Sequence, residues 1–306
     1  MLKRKRVQER AKLVKVASVG PSLYWLGLKA PRLLTETFPQ PGQFLHVLAG
    51  PGCDPLLRRP LSVLDADRDA SEVELYLQLV GRGSRFLASL SPGEEIDVLG
   101  PLGRGFRAVG PDKTLYLVAG GVGLAPLFFL ARAIAQGRTP EAPRKVLFLL
   151  GARSRADMPA KTLLDRLPSA PLLASDDGSA GHRGTVIGLL EALLAREEGE
   201  AELAGCGPPR MLAALAGLAS RECLPCQVSL EQVMGCGVGA CQGCVVASRL
   251  AGRESGAGEG YSRVCTEGPV FEAGEVDWQS LLDSAPHAGG TRSAISRNAG
   301  TAGGGA

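Results

Sequence analysis

Thr114-Leu-Tyr-Leu-Val-Ala-Gly-Gly-Val-Gly-Leu-Ala-Pro126 is the stretch on which the reading of this chain turns. An apolar run, Thr114–Ala119, meets Gly120-Gly-Val-Gly123, and an amphipathic stretch follows from about Leu124 to Ala135. Apolar strand, glycine turn and helix in that order form the context of a phosphate-cradling loop, in which small residues let an anion approach a helix N-terminus. The dinucleotide fingerprint is incomplete, because Pro126 stands where a third glycine would fall after Gly121 and Gly123. A plain strand–helix turn is the alternative. The cycle repeats downstream: strand Lys145–Leu150, helix Ala160–Leu167, strand Pro171–Ala174, helix Val186–Ala195, strand Glu202–Gly205, helix Pro209–Ser220. Apolar strands alternating with amphipathic helices predict a parallel, doubly wound sheet covered on both faces. Cys206-Gly207-Pro208 ends the last strand, where open sheets bind ligands. Taken alone, it reads sooner as a buried cysteine beside a helix-starting proline.

Before Gly110 the pattern is different. Short candidate strands, Ala11–Val19, Gln43–Leu48, Leu61–Asp65, Val73–Leu79 and Glu95–Leu99, are separated by Pro39-Gln-Pro-Gly42, Gly50-Pro-Gly52 and Ser91-Pro-Gly93. One helix is expected at Ser84–Leu90, after Gly81-Arg-Gly-Ser84. This punctuation suits an antiparallel barrel or sandwich. Arg58-Arg59-Pro60-Leu61-Ser62 starts one of the strands. A guanidinium there can clamp a pyrophosphate in bidentate fashion, and Ser62 can hydrogen-bond an isoalloxazine edge. Gly81–Ser84, opening a helix, is an anion site for the same pyrophosphate. Each motif alone is weak, since a basic strand edge is usually just solvated and Gly-x-Gly is usually a turn.

Six of the eight cysteines fall between Cys223 and Cys265. Cys236, Cys241 and Cys244 follow a C-x4-C-x2-C pattern, and Cys265 comes after 20 intervening residues. The opening spacing is that of plant-type [2Fe–2S] ligands. Gly235, Gly237, Gly239 and Gly243 supply the backbone freedom and unobstructed amides that a loop wrapped around an inorganic core needs. Structural zinc is the alternative, but it favours paired C-x2-C knuckles, and only one such pair lies within this ligand set. Cys223-Leu-Pro-Cys226 leads into the extended-looking Gln227–Leu230 rather than opening a helix, so core thiols are expected there. Cys53, in a Gly/Pro loop, is left unassigned.

The chain has 306 residues, with 34 Lys+Arg against 31 Asp+Glu, a formal charge of +3. So small an excess gives no electrostatic case for nucleic-acid binding. No window approaches the ~18–20 apolar residues of a membrane helix. The basic run Lys3–Arg6 has no apolar segment behind it and reads as a solvated terminus rather than a secretory signal. A cytoplasmic location is expected, where eight cysteines serve as ligands or core thiols rather than as disulfides. From Ser284 onward the glycine-rich sequence is expected to be a disordered tail. Of the histidines His46, His182 and His287, none is assigned an acid–base role; His46 sits on a predicted strand.

Arg-Pro-x-Ser, Gly-x-Gly-Ser, Gly100-Pro-Leu-Gly103, Gly-Gly-Val-Gly-x-Ala-Pro and Cys-Gly-Pro occur here in that order. The order resembles the ferredoxin–NADP reductase superfamily, a flavin-binding barrel followed by a nicotinamide-nucleotide domain. With the four-cysteine module, the stretch from Leu13 to Trp278 resembles the iron–sulfur electron-transfer subunits of class B dihydroorotate dehydrogenases. The resemblance implies a multi-domain β plus α/β architecture. Its units would be an FAD-binding β-barrel over 11–110, an NAD-binding α/β domain over 111–222, a [2Fe–2S] domain over 223–283 and a tail over 284–306. It further implies that Arg59, Pro60, Leu61, Ser62, Tyr76, Leu77, Gln78, Gly83 and Ser84 hold FAD. Gly120, Gly121, Val122, Gly123, Cys206, Gly207 and Pro208 would form the NAD cleft, and Cys236, Cys241, Cys244 and Cys265 would ligate the cluster. Leu61 departs from the aromatic that ferredoxin reductases carry, and their terminal flavin-covering aromatic is replaced by the cluster module. Ala251–Gly260 is longer than that subfamily leads one to expect and reads as a surface loop insertion. The arginines of Gly151-Ala-Arg153-Ser-Arg155 stand where NADP enzymes bind the 2′-phosphate, yet NAD users share them, so NAD is the expected nucleotide.

The implied function is to pass electrons from dihydroorotate, oxidised on an FMN-containing catalytic subunit, through [2Fe–2S] and FAD to NAD+ in pyrimidine biosynthesis. A one-electron cluster fits between two flavins because flavins exchange both single electrons and hydride. These units leave no room for the ~250-residue barrel that would bind the pyrimidine. A partner is therefore expected, in an assembly of two copies of each subunit. The rival within electron transfer is the small subunit of an NAD(P)H:ferredoxin or sulfide-type oxidoreductase, whose relatives often replace a cluster cysteine with aspartate. A third reading is a non-catalytic assembly subunit with zinc in the four-cysteine site.

Overall fold

The computed structural model describes residues 5–50, 52, 54–197, 199–249 and 260–284. Cys53, His287, the expected tail beyond Ser284, the start of the basic terminus and nearly all of the expected insertion at 251–260 lie outside the described residues.

The N-terminal unit is a closed antiparallel barrel. Its strands are β1 (Val7–Gly20), β2 (Leu23–Lys29), β3 (Phe44–Val47), β4 (Arg59–Asp67), β5 (Glu72–Gln78) and β6 (Glu95–Leu102), in the order β1-β2-β5-β4-β3-β6. Helix α1 (Pro31–Glu36) follows β2, and α2 (Arg82–Ser89) follows β5. The strand β2 and helix α1 are not evident in the sequence. Gly27 interrupts the run Leu23–Lys29, and its missing side chain is explained only by β1, since a Cβ there would lie 3.2 Å from Lys15 Cβ.

The second unit contains β7 (Thr114–Gly120), α3 (Leu124–Ala135), β8 (Lys145–Ala152), α4 (Lys161–Leu164), β9 (Leu172–Ser175), β10 (His182–Arg183), α5 (Val186–Leu194), β11 (Ala201–Cys206), α6 (Pro209–Arg221) and β12 (Cys226–Ser229). Every residue of β7, β11 and β12 is buried, as strands covered on both faces require. Helix α4 is one turn where the sequence predicted a helix over Ala160–Leu167. The C-terminal module adds β13 (Val245–Ala247) paired with β14 (Tyr261–Arg263), then β15 (Val270–Glu272) and α7 (Trp278–Ser284).

The large sheet runs β10-β9-β8-β7-β11-β12-β15, all parallel except β15 against β12. Two of its strands therefore come from beyond residue 222, where the sequence placed the start of a separate module. Cys226 is the core thiol expected of it, whereas Cys223 is exposed: α6 ends in a turn that holds Cys223 at φ +54 and swings it outward. The strand order reverses between β7 and β11, which puts the loops after these two strands side by side at the carboxyl edge.

Shared cores join the units. Phe44 and Leu102 of the barrel pack in one apolar cluster with Val228, Met234, Cys244 and Phe271. Leu64 and Tyr76 pack with Leu117, Leu124 and Phe128 of the nucleotide unit. At this second seam Asp65 on β4 is buried and accepts from Arg132 Nε (2.5 Å) and Arg138 (3.2 Å). Arg166 reaches Asp65 at 3.8 Å and Glu74 at 2.7 Å. Three cations converging on one buried carboxylate make its removal costly, because they lose a partner they share. Asp65→Ala should lower the unfolding free energy by about 3 kcal/mol in urea titrations; a loss under about 1 kcal/mol would show that the seam stands on its apolar contacts alone.

Candidate functional site

A cavity of about 700 Å³ opens where barrel, sheet and C-terminal module meet. That size is typical of organic-ligand sites. Arg59, Pro60, Leu61, Ser62, Tyr76, Leu77, Gln78, Gly83 and Ser84, all expected from the sequence, line it together. They reach one place because β4 and β5 are adjacent in the barrel and α2 starts just past β5. Arg58 and Arg59, equivalent in the sequence, part company here. Arg58 is tied to the Asp97 carboxylate at 2.8 Å and to two carbonyls of the barrel wall. Arg59 lies against the first turn of α2, where only glycine leaves it space, for a Cβ on Gly83 would come 2.6 Å from Arg59 Nε. A helix N-terminus beside an arginine is a site for a phosphate-bearing group. The Ser84 hydroxyl accepts from Gly81 N at 3.1 Å and so braces that turn.

The Tyr76 hydroxyl is buried with no hydrogen-bond partner among the described residues, and desolvation pushes its pKa up. A neutral, unpaired phenol on a cavity wall is a donor waiting for a ligand acceptor. FAD fits this cavity: an anion cradle at one end, an apolar wall of Pro60, Leu61 and Leu77, and an orphaned hydroxyl.

Val122 also lines the cavity, but the other expected nucleotide residues sit just behind it. There the β7–α3 and β11–α6 loops touch. A Cβ on Gly123 would overlap the Cys206 carbonyl, and one on Gly120 would come 3.0 Å from Pro208 Cδ. Gly207 approaches the Gly120 backbone just as closely. Cys206 is buried, and desolvation raises its thiol pKa. It is therefore a neutral thiol and no nucleophile.

The four expected ligand cysteines form two pairs. The amides of Ala240, Val238 and Cys241 donate to Cys236 Sγ at 3.3–3.4 Å. Burial pushes this thiol up, but those amides and the Cys241 side chain hold it down at about 7. Cys244 Sγ accepts from Cys265 N at 3.4 Å, and the Cys265 thiol pulls the Cys244 pKa well below that of a free cysteine while its own rises. Gly243 N donates to Cys241 Sγ at 3.5 Å. Among the described residues, no three Cys, His, Asp or Glu side chains converge tightly enough for a single metal ion. Two thiol pairs with amides aimed at sulfur fit a two-iron cluster, with two ligands per iron, better than one tetrahedral zinc.

The sequence did not reveal the cavity's far wall. Leu230, Glu231, Gln232, Val233 and Met234 run from the end of β12 straight to Cys236 and line the cavity on the way. Desolvation raises the pKa of Glu231 there. The segment has no motif; only its position between the last parallel strand and the first ligand could have marked it.

Comparison with known proteins finds relatives of both the nucleotide unit and the cysteine module. Residues 231–277 match the family model described as iron-sulfur cluster binding domain of dihydroorotate dehydrogenase B, and 117–216 match an oxidoreductase NAD-binding domain. The chain is 35% identical over 269 residues to the dihydroorotate dehydrogenase B (NAD(+)) electron transfer subunit of Desulforamulus reducens, covering 88% of this chain and 98% of the relative. For the subunit of the same name from Geobacillus kaustophilus the identity is 39% over 245 residues, covering 79% and 89%. Among solved structures, an NADH-dependent reduced ferredoxin-NADP oxidoreductase superposes with a TM-score of 0.74 at 27% identity, covering 90% of this chain and 92% of that one. The ferredoxin reductase of carbazole 1,9a-dioxygenase shares the fold, with a TM-score of 0.59 at 24% identity, covering 72% and 67%.

The crowding around Arg59 yields a direct check of the cavity. Arg59→Ala and Gly83→Ala should each weaken FAD binding by roughly 10-fold or more, the loss of a charge-assisted hydrogen bond. Flavin fluorescence during dilution measures it; unchanged FAD retention in both variants would place the pyrophosphate elsewhere.

Proposed function

Because this chain belongs to the family of dihydroorotate dehydrogenase B electron transfer subunits, we propose that it takes electrons from a dihydroorotate-oxidising, FMN-containing catalytic subunit and delivers them to NAD+. It is an oxidoreductase subunit with an NAD-binding domain and an iron–sulfur domain on a ferredoxin-reductase-like fold. Bound FAD and [2Fe–2S] would supply, between them, the exchange between single-electron and hydride chemistry.

The observation that carries the reading is the convergence at one cavity. The barrel wall, the tip of the glycine loop at Val122 and the segment leading into Cys236 all line it. In this reading Arg59 and the α2 N-terminus anchor the pyrophosphate, and Ser62 and Tyr76 orient the ring system. Leu230–Met234 forms the wall between flavin and cluster. Gly120–Gly123 and Cys206–Pro208 receive NAD, with the neutral Cys206 thiol as a small apolar filler beside the nicotinamide. Cys236 and Cys241 would hold one iron, Cys244 and Cys265 the other. No helix among the described residues is long and apolar enough to cross a membrane. In this reading the assembly works in the cytoplasm, with two copies of each subunit.

The likeness to the ferredoxin-NADP oxidoreductase structure favours one second reading, electron exchange with ferredoxin rather than with dihydroorotate. Four thiols where those relatives often carry an aspartate weigh against it. Co-expression with an FMN-binding barrel subunit separates the two. The purified complex should reduce NAD+ at the expense of dihydroorotate, and the chain alone should not. Dihydroorotate oxidation by the isolated chain, or ferredoxin-linked NAD+ reduction in its place, would overturn the proposal.

A further inference from the structure

His46 lies on β3 with 0% of its surface exposed, and neither ring nitrogen has a hydrogen-bond partner among the described residues. Leaving a buried polar group unpaired costs roughly 1–3 kcal/mol, so such a group calls for an explanation. The ring does have neighbours. A Cβ on Gly237 would come 2.7 Å from His46 Nδ1 and 3.2 Å from its Cε1, so the ring occupies the space left by this glycine, whose φ is +70. Desolvation lowers the imidazole pKa, while the carbonyls of Met234 and Cys236 pull in the opposite direction. The backbone from Met234 to Gly237 thus turns beside the ring. Arg58 holds the strand from the other side, donating to the His46 carbonyl at 3.2 Å.

The register gives this contact its meaning. His46 stands opposite Pro60, beside Leu61 and Ser62 of the cavity wall. On its other side the ring meets the turn in which Met234 lines the cavity and Cys236 offers the first thiol. One buried side chain thus lies between the flavin wall and the cluster loop.

We propose that His46 is a positioning residue that seats the cluster loop on the barrel, its buried ring packed under Gly237 and donating a ring N–H to a backbone carbonyl of the 234–237 turn when the loop is wrapped around the cluster. The inference rests on the reading of Cys236–Cys244 as a cluster loop. It assigns to His46 no contact with iron and no proton transfer. Its consequence is that the geometry of the cluster, and its place relative to the flavin cavity, depends on a barrel side chain outside the cysteine module.

The test compares His46→Leu, similar in bulk but without a donor, with His46→Gln, which keeps an N–H. Both are made in the full chain and reconstituted anaerobically with FAD, iron and sulfide. His46→Leu should keep its FAD, bind the cluster roughly 10-fold less tightly against a chelator, and show shifted g-values and midpoint potential. In the cluster-loaded protein, amides of the 234–241 loop should exchange faster with deuterium. His46→Gln should restore most of each property. If His46→Leu does not fold, His46→Gln decides alone: near wild-type retention and g-values support the proposal, and a 10-fold loss overturns it. A leucine variant matching the wild type in retention, potential and exchange also overturns it. No cluster signal in the wild type would instead sink the cluster reading itself, and this inference with it.

Discussion

Strand β12 is hydrogen-bonded on both edges, parallel to β11 and antiparallel to β15, and all of its residues are buried. That double pairing sets the direction in which the chain leaves the sheet at Ser229. It fixes Leu230–Met234 as the far wall of the cavity and so delivers Cys236 to the same face of the molecule. The return path is fixed as well. Arg104 N donates to the Gly268 carbonyl at 2.5 Å and Arg104 bridges to Pro269, so the entry to β15 is held against the end of the barrel. A strand that pairs on one edge only would leave the cluster loop on a flexible tether. Here the loop's two ends belong to the core.

The placement matters because electron transfer demands proximity more than it demands reactive side chains. Several reactive groups beside the cavity are held neutral or already paired. Cys206 is held neutral, Tyr76 is held neutral, and Arg58 is spent on Asp97. What the residues supply is shape and dipoles. Amides converge on the cysteine sulfurs, a helix N-terminus faces Arg59, and Leu230–Met234 walls the space between. Amides directed at thiolate sulfur stabilise negative charge there and tune a cluster potential.

Much of this was legible in the sequence, for reasons that differ by region. The strand β7 is buried on both faces and shows as a nearly continuous apolar run, and the glycine turn after it is a local signal. The cysteine spacing is local too. The short strands β12 and β15 carry no such mark. They are three or four residues long, and their membership of the large sheet is a long-range fact. For the same reason the sequence put a boundary at 222 where the sheet has none. Helix α4 shrank to a turn, and Cys223, expected in the core, faces solvent because of a backbone turn that no side-chain pattern announces. His46 looked like an ordinary strand residue; its isolation among carbonyls and Gly237 exists only once barrel and cluster loop meet.

The central claim is that one polypeptide holds a flavin and a two-iron cluster on either side of the Leu230–Met234 wall. Its most direct test is the composition and magnetism of the anaerobically reconstituted chain. Metal, sulfide and flavin analysis should give about two irons and one FAD per chain, and dithionite reduction should yield a rhombic spin-half EPR signal. A colourless protein carrying one zinc per chain, with no EPR signal on reduction, would contradict it.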